Sequence, residues 1–110
     1  MRYAIFLILL SAVLHVALWA LSGFASDSRF LLVGAVIHCL LALALITQIW
    51  GSRWIAFMIM LATSAVALGS FVAPPLEPYW IFGLIFIVHM IAAVLLFGAI
   101  WAGRPKTNAA

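Results

Sequence analysis

Three histidines, His15, His38 and His89, each fall near the middle of a long apolar run. They are the ionisable side chains of the chain that do not sit at the end of such a run, Cys39 and the tyrosines aside. Ionisable groups at membrane depth cost free energy to hold there, and they mark candidate functional sites. Imidazole can bind a haem iron, a metal or a mobile proton. It can also be a neutral packing residue that hydrogen-bonds inside a helix assembly.

The runs must position these groups. Four apolar segments, 3–21, 30–50, 54–72 and 79–101, lack Asp, Glu, Lys and Arg. Each has about 19 to 23 residues, and about 20 cross a hydrocarbon core of roughly 30 Å. Backbone groups find no water in that layer, so each run is expected to be a helix. Residues 1–110 read as one integral membrane domain, an all-α membrane protein with four transmembrane helices in an antiparallel bundle. Of the 110 residues, 70% are hydrophobic and 6% charged, whereas about 25% are charged in soluble domains. That composition points to lipid as the solvent.

The connections fit this reading. Segment 24–28 is a small polar loop, and Gly51-Ser52-Arg53 is short enough to fold helices two and three into a hairpin. Pro74, Pro75 and Pro78 stop the third helix, because proline lacks an N–H and clashes with the preceding turn. Arg104-Pro105-Lys106 ends the fourth. Arg2, Arg53, Arg104 and Lys106 fall on one side, and Arg29 with Asp27 and Glu77 on the other. This bias predicts both termini in the cytoplasm of a bacterial-type inner membrane. Tyr3, Trp50, Trp54 and Trp101 would line the inner interface, and Phe24, Phe30, Tyr79 and Trp80 the outer. The first run also resembles a cleavable signal, with Gly23-Phe24-Ala25 as its cleavage site. At about 18 residues it exceeds the usual 7 to 15 of such a region, which favours a retained anchor.

Depth and face bring the histidines together. Counted from each helix centre, they lie about 3, 2 and 1 residues toward the outer side, hence within roughly 3 Å in height. Ser11, His15, Trp19 and Ser22 share one helical stripe, as do Gly34, His38 and Ala42. Ala92 and Ala93 lie near His89. The third helix offers Ala56, Met60, Thr63, Ala67 and Ser70 as its small, weakly polar face, suited to close helix approach. Ser11-Ala-Val-Leu-His15 and Gly34-Ala-Val-Ile-His38 form a short local repeat.

Several functions follow as expectations. The first is a non-enzymatic accessory or assembly component of a membrane complex, partnered by lipid and by itself or a larger complex. The second is a haem b electron-transfer subunit, with His38 and either His15 or His89 as ligands. Gly34 and Ala42 would then make room for the porphyrin, and Arg29 would meet a propionate. The third is a small proton-coupled transporter acting as an oligomer through a histidine relay. The small multidrug resistance exporters are similar in size, but their intramembrane glutamate has no counterpart here. A zinc or copper site lacks a supporting carboxylate or thiolate cluster, and no metal is assigned. Gly98, Ala99, Ala102 and Gly103 give a weak dimer-contact signal.

Other classes are disfavoured. Net charge is +3 and the pI about 9.8, but the basic residues are scattered and make no nucleic-acid face. Cys39 is the single cysteine, so it forms no CxxC motif. No phosphate loop, Ser-His-Asp set or carboxylate pair can be built, so enzymatic activity is not expected.

Overall fold

The computed structural model describes residues 1–23, 29–73 and 78–102. These residues form four helices: α1 (Arg2–Leu21), α2 (Phe30–Ile46), α3 (Ser52–Val72) and α4 (Trp80–Ala102). The expectations for Phe24, Asp27, Pro74, Pro75, Glu77, Gly103, Arg104 and Lys106 lie outside the described residues. The N-termini of α1, α2 and α3 have no side-chain capping bond. Their extent follows the apolar runs, where continuous backbone pairing is the strongest constraint. Helices α1, α3 and α4 are long and apolar enough to cross a membrane. The chain thus has the make-up of a membrane protein.

Helix α2 departs from its expected range of 30–50. It ends at Ile46 and has 17 residues, about 25 Å at 1.5 Å per residue. The cause is local turn chemistry. The Ile49 N–H donates to the Ala44 carbonyl at 3.1 Å and the Gln48 N–H to the Leu45 carbonyl at 3.2 Å. This pair of bonds is a Schellman closure. It needs a left-handed residue after the C-cap, and Gln48 takes that role with φ 56°. The Thr47 hydroxyl donates to the Leu43 carbonyl at 2.9 Å, which also occupies the last turn. Gly51 then adopts φ 78° and admits α3.

Packing is uneven. Helix α3 lies broadly against α4, and α1 against both α2 and α4, while α2 meets α3 only slightly. The interior contains two apolar layers. One holds Ala4 and Ile8, Leu41 and Leu45, Ala56 and Met60, and Ala92 and Leu96. The other holds Leu18, Leu31, Ala67, Ile81, Phe82 and Ile85. In sequence, every helix carries a polar residue between its contributions to the two layers: Ser11 and His15, His38, Thr63, and His89.

Candidate functional site: a buried imidazole cluster

The helix faces converge on those polar residues. Ser11, His38 and His89 are buried, while His15 and Thr63 are partly buried. The ring centroids of His15 and His38 are 4.8 Å apart, those of His38 and His89 also 4.8 Å, and those of His15 and His89 6.1 Å. The structure therefore brings together all three sequence-derived candidates.

Backbone carbonyls fix two of the rings. His15 Nδ1 donates to the Ser11 carbonyl at 2.7 Å. His38 Nδ1 donates to the Gly34 carbonyl at 2.6 Å. The short sequence repeat thus has a physical counterpart: each histidine bonds back to the small residue four positions earlier. A neutral ring that donates through Nδ1 presents a lone pair at Nε2. His38 therefore directs an acceptor toward its neighbours.

His89 is the hub. Its Nε2 lies 3.0 Å from His38 Nε2 and in hydrogen-bond contact with Ser11 Oγ. Its Nδ1 lies 2.7 Å from Thr63 Oγ1. One side chain of α4 thereby bonds to α1, α2 and α3. Ser11 and Thr63 are the polar partners that the expected site set of three histidines omitted. Both were visible on the small-residue stripes, but their hydroxyls gain meaning only once His89 reaches them.

Proton placement follows from counting. Thr63 has one hydroxyl proton and three acceptors within reach, His89 Nδ1 at 2.7 Å, the Ile59 carbonyl at 2.7 Å and, more distant, the Met60 carbonyl at 3.4 Å. When the proton goes to His89 Nδ1, the neutral ring carries its own proton on Nε2 and donates to His38 Nε2. Both ring nitrogens of His38 and both of His89 are then satisfied. When Thr63 turns to Ile59, His89 donates through Nδ1. The Ser11 hydroxyl can then donate to His89 Nε2, but the His38 Nε2 lone pair faces that nitrogen at 3.0 Å with no proton between them. The first arrangement is the one expected for neutral rings, because unpaired polar groups in an apolar interior are costly.

Space is tight on one side and open on the other. A Cβ on Gly34 would stand 2.8 Å from His15 Cδ2 and 3.1 Å from His15 Nε2. Glycine at this position therefore lets α1 and α2 close over the ring. A cavity of about 170 Å³ is lined by Phe30, Gly34, Thr63, Ser70, His15 and His89, among others. Its lining runs along α2 from Phe30 and along α3 from Ser70, so it reaches two of the imidazoles from that end of the helices. Among the described residues, no three His, Cys, Asp or Glu side chains are placed to hold a metal ion. Cys39 is exposed on the outside of α2.

No protein-family model, curated protein or solved structure matches the chain.

Proposed function

We propose that the chain is a non-enzymatic accessory or assembly component of a complex in a bacterial-type inner membrane. In this reading α2 also crosses the bilayer, the helices alternate in direction, and both termini are cytoplasmic. The observation that carries the proposal is the self-satisfied cluster around His89. Its hydrogen bonds close within the chain and tie the four helices together. Interhelical bonds of this kind average about 0.6 kcal/mol in a membrane, so three contribute about 2 kcal/mol. That suits a group that fixes helix register. The outward faces, including Phe6, Val33, Leu40 and Val66, are apolar and exposed, available to lipid, to a second copy or to partner helices.

Gentle-detergent purification of the tagged chain tests this reading. A stoichiometric partner or a defined homo-oligomer is expected. A monodisperse lone chain would contradict it.

A second reading, a proton relay in a small transporter, is favoured by one observation: the cavity that reaches His15 and His89. Proton-driven flux in liposomes that requires either histidine would support it. Flux unchanged by His15→Ala and His89→Ala would count against it. The haem b reading gains no such support. Metal–imidazole bonds are about 2 Å long, so two ligands on opposite faces of an iron stand about 4 Å apart with the macrocycle between them. His38 and His89 are instead in direct contact at 3.0 Å.

A further inference from the structure

We infer that the cavity beside His15 binds a neutral phenolic ring, whose hydroxyl donates to His15 Nε2. The inference rests on the neutral imidazole cluster described above and not on the assembly role, since the ligand occupies the chain whether or not a partner does.

The first observation is a spare acceptor. His15 Nδ1 donates to the Ser11 carbonyl at 2.7 Å, so the neutral ring keeps a lone pair at Nε2. The hydrogen-bond contacts of this ring, with the Ser11 carbonyl and hydroxyl, are both made by Nδ1. The Nε2 atoms of His38 and His89 are engaged with each other. His15 Nε2 is thus the ring nitrogen of the cluster that has no partner among the described residues. A Cβ on Gly34 would stand 3.1 Å from it, and Gly34 and His15 both line the cavity. The lone pair therefore lies at the cavity wall.

The second is size and lining. The cavity holds about 170 Å³, and an apolar cavity of about 150 Å³ takes one benzene ring. A single six-membered ring with a small substituent fits. Leu31, Ala67, Phe82 and Ile85 line the cavity and are buried, which gives such a ring apolar contact. No Asp, Glu, Lys or Arg is among the lining residues, so a charged ligand would find no counter-charge. A buried water wants two to four polar partners. A phenol wants one acceptor for its hydroxyl and apolar walls for its ring, the usual make-up of a small-molecule pocket.

The third is access. Helix α2 lines the cavity from Phe30 to Gly34, and α3 lines it from Thr63 to Ser70. These two helices meet only slightly. Phe30 and Val66 belong to the lining and are exposed. A molecule dissolved in the bilayer can therefore enter sideways between α2 and α3. A small free phenol and the head of a phenolic lipid present the same ring and hydroxyl to this site.

The test uses the full chain in lipid bilayers. Binding of 4-fluorophenol and 4-fluorotoluene, close in volume, is followed by fluorine NMR at equal concentrations in the lipid phase. The hydroxyl is expected to give about fivefold tighter binding, the effect of one net hydrogen bond. In nitrogen NMR of the same samples, the His15 Nε2 signal should move on saturation with 4-fluorophenol and not with 4-fluorotoluene. His15→Phe should abolish the preference for the phenol. Ala67→Leu, which fills the cavity and leaves His15 in place, should abolish binding of both probes. Circular dichroism confirms that each variant is helical, and either one carries the test where the other does not fold. In a second arm, 4-dodecylphenol competes with 4-fluorophenol. Displacement identifies a phenolic lipid, its tail leaving between α2 and α3, and binding without displacement identifies a small free phenol. A His15 ring that is charged or protonated on Nε2 before any probe is added overturns the site and the neutral cluster together. A neutral ring with equal affinity for the two probes, with no response to 4-fluorophenol, or with binding that the folded variants retain unchanged, overturns the site alone.

Discussion

His38 and His89 meet through their Nε2 atoms at 3.0 Å, which links α2 to α4 although these two helices are not among the pairs that pack broadly. Each ring is held from behind, His38 by the Gly34 carbonyl and His89 by Thr63. The contact is therefore a directed hydrogen bond between two positioned groups, and it couples helices far apart in sequence.

That coupling is measurable. A double-mutant cycle of His38→Leu and His89→Leu, read by unfolding in mixed micelles, should give an interaction energy of about 0.6 to 1.7 kcal/mol. Additive effects of the two substitutions would show that the rings do not bond.

Gly34→Ala should destabilise the protein by about 1 to 2 kcal/mol, a typical cost of overpacking. The new methyl would stand 2.8 Å from His15 Cδ2, and His15 can retreat only by straining its bond to the Ser11 carbonyl. His15→Ala in the same chain should recover most of that loss. A Gly34→Ala protein as stable as the parent would contradict the close approach of α1 and α2.

Gln48→Gly should stabilise the protein by about 1 kcal/mol, since a side chain at the left-handed position after a C-cap is strained. Gln48→Val should have the opposite sign, because a β-branched residue tolerates φ 56° least. Midpoints of thermal unfolding monitored by circular dichroism distinguish the two. Equal midpoints would place the end of α2 elsewhere.

Protein purified from haem-replete cells should be colourless. With His38 Nε2 bonded to His89 Nε2, these two rings do not bracket a porphyrin, and the proposed cluster needs no haem. A Soret band that His38→Ala abolishes would reverse this conclusion and restore the electron-transfer reading.

The helices were legible in the sequence because lipid permits little else for long uncharged runs. Helix α1 begins at Arg2 where residue 3 was expected, α3 at Ser52 in place of residue 54, and α4 covers Trp80–Ala102 against 79–101. Helix α2 ended early because hydropathy does not register turn geometry. Ile46, Ile49 and Trp50 continue the apolar run, while Gln48 closes it through its backbone. The convergence of His15, His38 and His89 was legible from depth and face. The role of Thr63 was not, because its hydroxyl gains an acceptor outside its own helix only when α3 packs on α4.

The most direct test of the central claim is solid-state nitrogen NMR on histidine-labelled protein in lipid bilayers at neutral pH. The expected spectrum has three neutral imidazoles, with His15 and His38 protonated on Nδ1 and His89 on Nε2. A through-space contact should link His38 Nε2 to His89 Nε2. A spectrum with all three rings protonated on Nδ1, or with any ring charged, would contradict a closed, self-satisfied cluster.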